Sequence, residues 1–516
     1  MKEQSQNQEV VVQSEASSAG GSSPENGGTS KKLKDYLMYV HIAIGIFLMF
    51  GFAHVFNPVL EITPLGMQIM GVFLGAVYLW TFVSIIWPSV LGIIALAFTD
   101  AFPNAQAALS SAFGDIQPIV IFFTLLLFGA LEHLGVSRYI ARWFLTRKII
   151  NGRPYVFCFV LFFCTYVVSM VTTPAAGVLL MWAVLYATLR EVGVARIDKF
   201  SSFMVFGIFW AGITGQATVP FTTSSLALVG VYNRITGEVM PYVPYLIFGL
   251  IMGMIVLTTL TLMMKYFFRP DVSKLTAVDI EMFDRDPLPP MDLRQKICFY
   301  TLPSFLLTVM VPTLFDTGVW IVLDWLKLLD VWGVAALHVV FLLLVHIDGK
   351  PVLDLPEVMH KYFAWPVYFC VALALALSAQ ITRPEMGILD STIVVFQPLL
   401  GTDSPFAFMS IILTITVTIT QLTNNVIIGA MVMPLIYGFG TPLGLDLAAA
   451  VCIMIFVVHI ATLLPGSTAF TPLLWSNRDW ISPAQIWAYS IPMIIVSLIL
   501  YIVIGIPLVN FVFSLF

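Results

Sequence analysis

The apolar run at 411–440, IILTITVTITQLTNNVIIGAMVMPLIYGFG, constrains this chain more than any other stretch. Roughly 20 apolar residues suffice to cross a bilayer, and this run is longer, yet Thr423-Asn424-Asn425 stands in its middle. Amides and hydroxyls at membrane depth cost free energy unless they are paired, so a polar cluster there points to a site. Thr and Asn are also good N-caps, because their side-chain oxygens accept from first-turn amides. The run therefore reads as two half-helices meeting at a polar break. Half-helix N-termini aimed at an anion are a recurrent way to build a binding site inside a membrane.

Composition places the run in context. The chain is 59% hydrophobic and only 10% charged, where a soluble domain carries about 25% charged residues. It reads as an all-α polytopic membrane protein. The net charge is −5 and the basic residues lie in loops, which gives nucleic acid no binding patch. The five cysteines, Cys158, Cys164, Cys298, Cys370 and Cys452, fall in apolar segments without metal-ligand spacing and read as packing thiols. Residues 1–34 read as a disordered cytoplasmic tail rich in Ser, Gly, Gln and Glu. They lack the basic start and apolar stretch of a signal peptide. Lys31, Lys32 and Lys34 hold this end in the cytoplasm.

The first span covers about 38–58. Residues 67–98 are too long for one crossing, and Pro88 divides them into two. A fourth span at 117–136 then returns the chain to the cytoplasm, where Arg138, Arg142, Arg147, Lys148 and Arg153 satisfy the positive-inside rule. Residues 154–190 form an apolar run broken at Ser169–Pro174 and followed by Arg190, Arg196 and Lys199. They read as a re-entrant hairpin from the cytoplasmic side, tolerable only where its tip is buried in protein or lines a cavity. The next span, from Phe200, runs into Thr214–Ser225, a stretch of small and hydroxyl residues expected to unwind. One more span, 242–265, closes a first half at 35–264. A cytoplasmic linker follows at 265–296. The second half, 297–516, has spans near 297–315, 331–347, 364–382, 445–466 and 485–512. Its own hairpin, 406–440, enters from outside. The total is about eleven spans plus two hairpins, with the C-terminus external.

The halves echo each other. Thr172-Thr173-Pro174 aligns with Asn424-Asn425-Val426, and Val219-Pro220-Phe221-Thr222-Thr223 with Leu464-Pro465-Gly466-Ser467-Thr468. Because the hairpins enter from opposite faces, the repeat is inverted, and broken helices at matching positions mark a midplane site.

With these motifs the chain resembles the divalent anion:sodium symporter (DASS) family of the ion-transporter superfamily, over about 38–516. Thr420-Gln421-Leu422-Thr423-Asn424-Asn425-Val426 stands where that family has Thr-Glu-Phe-x-Ser-Asn-Thr. Thr172-Thr173-Pro174 stands in place of its first Ser-Asn-Thr, and Thr222-Thr223-Ser224-Ser225 in place of Thr-Pro-Pro-Asn. The resemblance implies an elevator-type homodimer in the plasma membrane that carries di- or tricarboxylates by alternating access, usually with sodium. It implies substrate contacts from Thr172, Thr173, Pro174, Thr222, Thr223, Asn424, Asn425 and Thr468. For sodium it implies Ser169, Thr420, Thr423, Asn425 and Ser467.

No Lys or Arg lies in a span near these motifs. A carboxylate would be met by helix N-termini, each worth about half a positive charge, and by amide and hydroxyl donors. A dianion would still want a cation, sodium or a proton. Thr414, Thr416 and Thr418, spaced every second residue, cannot share one helix face, and they read as bonding back one turn. His459 could carry a proton, although a lone helix histidine is more often a bonded core residue. Glu132 and His133 read as interfacial. Neither rings of like charge nor a carbonyl filter suggest a channel. No nucleophile–base pair, histidine ligand spacing or phosphate-binding loop suggests an enzyme or an ATP-driven pump. Within the transporters, a sodium-independent exchanger of the same fold is the alternative.

Overall fold

Helices in this chain begin where a polar residue precedes a proline. Thr63, Thr173, Ser404 and Ser482 each cap a helix whose first residue is Pro64, Pro174, Pro405 or Pro483. Proline's fixed φ suits a first turn, and its missing N–H has no partner to lose there. The computed structural model describes residues 27–114, 116–146, 152–277, 289–315, 318–422, 424–465, 467–468 and 470–516. Most of the tail and of the linker's middle, and Thr423 of the site, lie outside these residues.

The first half runs through α1 (Gly27–Val55), α2 (Pro64–Phe82), α3 (Ile86–Ala97), α4 (Ala105–Phe113), α5 (Ile116–His133) and α6 (Val136–Leu145). Next come α7 (Pro154–Val171) and α8 (Pro174–Glu191), which form hairpin 1, then the broken pair α9 (Lys199–Thr218) and α10 (Thr223–Thr236). It closes with α11 (Tyr242–Leu262), prolonged as a π-helix over Met263–Phe268. The second half opens with α12 (Leu293–Met310) and α13 (Ile321–Leu344), then a small antiparallel ribbon, β1 (His346–Ile347) and β2 (Lys350–Pro351). It continues through α14 (Leu355–Lys361), α15 (Trp365–Ile381) and α16 (Ile388–Leu400) to hairpin 2, formed by α17 (Pro405–Ile419) and α18 (Asn425–Gly440). The second broken pair is α19 (Leu447–Val458) and α20 (Thr471–Ser476). Last come α21 (Pro483–Leu500), a π-helical stretch at Tyr501–Gly505, and α22 (Ile506–Phe513).

Among the described residues nine helices are long and apolar enough to cross a membrane, or up to eleven if each of two bent pairs is one span. The chain is an integral membrane protein. Order repeats between the halves: a short helix and a span (α4–α5, α14–α15), an amphipathic helix (α6, α16), a hairpin, a broken pair, and a closing span with a π-helical stretch (α11, α21). The two bent pairs, α14 into α15 at 76° and α16 into α17 at 104°, both lie in the second half.

Several boundaries differ from the sequence reading. The division of 67–98 falls at residues 83–85, and Pro88 sits in the first turn of α3, where it breaks no bond. The basic loop at 137–146 is the helix α6, and residues 388–400 are α16; both are amphipathic and too short for a span. Span 331–347 is preceded by further helical residues from Ile321, where Asp324 and Lys327 interrupt the apolar pattern but not the helix. Asp330 does break the backbone, at φ 53° and ψ −176°. Ile347-Asp348-Gly349-Lys350 forms a tight turn with positive φ at Asp348 and Gly349, the geometry that Asp-Gly favours between antiparallel strands.

Packing sorts these elements. The α9 helix is buried along its length and lies at the centre, whereas the Tyr36–Val55 part of α1 is mostly unburied and peripheral. One apolar cluster joins both hairpins and both broken pairs to α5, α11–α13 and α21. A second joins α1–α4 to α15, and Ile427 of hairpin 2 reaches into it.

Candidate functional site

Hairpin 1 turns between Thr172 and Pro174. Thr172 ends α7, and its hydroxyl donates to Val168 O at 2.7 Å, a back-bond to its own helix. Thr173 caps α8: its Oγ1 accepts from Ala176 N at 3.2 Å and donates to Glu132 Oε2 at 3.4 Å. Pro174 contributes no N–H. Ser169, fully buried, has an Oγ without a hydrogen-bond partner. A Cβ built on Gly177 would stand 2.3 Å from that Oγ, so glycine is what lets the hydroxyl sit there.

The hairpin packs on the first broken pair. Gly215 of α9 lies so close to α7 that a Cβ would stand 2.3 Å from Tyr166 O. Where α9 ends, Thr222 is buried and its hydroxyl reaches back to Gln216 O at 2.6 Å, satisfying a carbonyl left by the break. Thr223 opens α10. Beyond it Ser224 accepts from Gln216 Nε2 at 2.7 Å and bonds His459 Nε2 at 2.7 Å. His459 Nδ1 lies 2.6 Å from Ile455 O, which can only accept. The Nδ1 therefore carries a proton, Nε2 meets the Ser224 hydroxyl, and Gln216, Ser224 and His459 form one hydrogen-bonded chain. It ties the break in the first half to the break in the second.

That second break is longer than its counterpart. Between Val458 and Leu464 the helix is lost, and every carbonyl it frees has a protein donor. Thr420 donates to Val458 O at 2.9 Å, Ala461 N to His459 O at 2.8 Å, Gln421 Nε2 to Ile460 O, and Thr471 to Ala461 O at 3.2 Å. Trp475 donates to Thr462 O at 3.2 Å, Trp487 to Leu463 O at 2.9 Å, and Ser467 to Leu464 O at 2.8 Å. Thr468 Oγ1 accepts from Phe470 N and Thr471 N and bonds Thr471 Oγ1 at 2.7 Å. Ser467 and Thr468 thus brace the unwound loop. Gln421 also accepts from Thr462 N and Leu463 N through Oε1, making it the main clasp between hairpin 2 and this loop.

At the tip of hairpin 2, Asn424 caps α18, and Asn424 Oδ1 and Asn425 Oδ1 both accept from Val426 N, at 2.9 and 3.0 Å. Neither Nδ2 has a partner among the described residues. Asn425 is 5% exposed and Asn424 half-buried, and their unengaged amide nitrogens lie beside the N-terminus of a half-helix. The tips are therefore unlike. Hairpin 2 offers donors, whereas at hairpin 1 the proton of Thr172 is held by Val168 O and that of Thr173 by Glu132.

Counting from proline to cap, Pro154 to Thr173 and Pro405 to Asn424, the hairpins have equal length. The structure thus pairs Thr173 with Asn424 and Ser169 with Thr420, one residue off the sequence alignment. Beside hairpin 2 lies an apolar cavity of about 220 Å³, lined among others by Trp80, Leu377, Phe396, Ile428 and Met431. Its Ser378 and Thr392 hydroxyls donate to their own helices at 2.7 Å, so it offers a carboxylate nothing.

Sequence reasoning placed Glu132 at an interface and missed its contact with the tip, since 41 residues separate it from Thr173. Gln421 lay inside the quoted motif, and only the fold shows what its amide holds.

Two hairpins, two broken helices and the repeated order of elements define the fold of this membrane protein. Among solved structures the chain is similar to the YdaH transporter of Alcanivorax borkumensis, with a TM-score of 0.52 over 79% of this chain and 88% of that one. The identity is 12%, so the likeness is one of fold. No protein-family model and no curated protein matches the sequence.

Proposed function

We propose that this protein is a secondary active transporter of small organic anions, di- or tricarboxylates, working by alternating access. The observation that carries the reading is the pair of unengaged Nδ2 groups of Asn424 and Asn425 at the start of α18. Their N–H groups point to no protein acceptor, and a carboxylate supplies the acceptors while its charge suits the helix N-terminus. The resemblance to the DASS family and the fold shared with a transporter point the same way. Coupling to sodium follows from that resemblance. The orphaned Ser169 hydroxyl is a hard oxygen donor suited to such an ion, with Thr420 at the equivalent place on hairpin 2. Bound sodium would offset the charge of a dianion. A homodimer in the plasma membrane with a cytoplasmic N-terminus completes the reading.

Exchange without sodium is the second reading. It is favoured by the carbonyls of 458–464, each bonded to a protein donor and none in need of a cation.

Uptake of labelled succinate into proteoliposomes, with and without a sodium gradient and with citrate and sulfate as competitors, tests both. Sodium-dependent accumulation is the expected result; uptake that needs internal anion instead would establish exchange. The Asn425→Ala variant is expected to abolish uptake while keeping membrane expression. Normal transport by that variant would remove hairpin 2 from the site.

A further inference from the structure

Glu132 is the one acidic side chain that touches a hairpin tip among the described residues, and the reading above gives it no task. It lies one residue from the end of α5, partly buried, and among the described residues its carboxylate accepts one hydrogen bond, from Thr173 Oγ1 at 3.4 Å. It makes no ion pair among the described residues. None of the charged groups on the surrounding elements pairs with it among the described residues, the buried and unpartnered Nε of Arg294 included. His133 looks to Glu357 of α14 at 3.8 Å, and Glu357 is held by Lys361 at 3.0 Å. Arg294 of α12 donates to Pro351 O, and Lys296 lines an outward groove with Tyr300. Arg138 of α6 and His360 of α14 are exposed, while Arg142 of α6 is half-buried and bonded. His338 of α13 bonds Ser304, and Arg234 and Asp330 share a cavity with Gln117 at the opposite end of α5. The α4 and α15 helices carry no charged residue.

The carboxylate therefore stands at the N-terminus of α8, where an anion would bind, and it engages the Thr173 proton that such an anion would use. Two anions cannot share one hydroxyl proton, and side by side they repel. Protonation removes the conflict. A proton added to Glu132 Oε2 lets that oxygen donate to Thr173 Oγ1, whose own O–H then turns towards the ligand. The only covalent change is the new O–H bond, with its proton taken from water.

Resting on the anion-transporter reading, we propose that Glu132 is a tethered rival of the transported anion, so that each anion bound at the hairpin tips is accompanied by a proton on Glu132. Sodium coupling at hairpin 2 or beside Ser169 is a separate matter and is compatible with it.

The test is succinate uptake into proteoliposomes at sub-saturating concentration over a range of external pH, with a pH-sensitive dye outside. In the wild type, uptake should rise by about tenfold per unit of falling pH until Glu132 is protonated, because only the protonated fraction is competent. The medium should become more alkaline as succinate enters. Glu132→Gln should keep uptake but hold it within about twofold across that range, since the amide imitates the protonated acid. Glu132→Asp should restore the dependence. Wild-type pH dependence in Glu132→Gln overturns the proposal, as does wild-type uptake that alkalinises nothing. Should Glu132→Gln fail to insert, the wild-type dye signal decides. Absence of uptake by the wild type at every pH, with or without sodium, would instead sink the transporter reading itself, and this proposal with it.

Discussion

Gln421 has no charge and no reactive atom, yet it serves four backbone groups: Val417 O, Ile460 O, Thr462 N and Leu463 N. Unwound backbone inside a membrane protein is tolerable only when its polar groups find partners, and a primary amide supplies two donors and an acceptor at once. Gln421→Ala would leave three of those groups buried and unpaired, at about 1–3 kcal/mol each. The variant is expected to lose several degrees of thermal stability in detergent together with its uptake. An unchanged melting curve would mean that water replaces the amide. The same logic sets Asn425 apart from Thr222 and Thr468. All are buried polar side chains of the kind the sequence suggests for a site, but the hydroxyls of Thr222 and Thr468 are engaged in bracing the breaks, and the amide nitrogen of Asn425 is not.

At the scale of elements, hairpin 1 and α9 approach until only glycine fits between them. An added Cβ on Gly215 would meet the backbone carbonyl of Tyr166, and a backbone atom cannot rotate away as a side chain can. Gly215→Ala must push α7 and α9 apart or bend one of them, and overpacking of this kind costs about 1–3 kcal/mol. Because α9 carries Gln216 and leads to Ser224, the displacement would also strain the link to His459. The variant is expected to insert, to melt earlier than the wild type, and to transport more slowly. Full activity would mean that hairpin 1 can move independently of the first break. Hairpin 2 meets its break differently, through the side chains of Thr420 and Gln421 rather than through close backbone contact.

For the whole molecule, the repeated order of elements is the main constraint on mechanism. If the halves are inverted copies, hairpin 1 opens to one side of the membrane and hairpin 2 to the other, and a ligand between the tips can leave either way. Single cysteines at Thr173 and Asn425 test this, with impermeant thiol reagents applied to oriented vesicles. Labelling from opposite faces is the expected outcome, and labelling of both from one face would contradict the inverted topology. The Glu132–Thr173 contact joins hairpin 1 to a span outside the hairpins and breaks, so motion of the hairpin relative to α5 must break it.

The sequence by itself determined the class of fold, the two hairpins and the positions of their tips. Those features rest on local physics: the length of apolar runs, the cost of polar groups among them, and the capping preference of Thr, Asn and Pro. It could not determine the register of the repeat, which depends on which residue actually caps each helix. Nor could it find α6 and α16, whose single apolar faces look like loops until something packs on them. Only the tertiary structure decided which polar residues brace the fold and which have no protein partner among the described residues. That distinction depends on partners distant in the chain, Val458 for Thr420, Ser224 for His459 and Glu132 for Thr173, which no local pattern encodes.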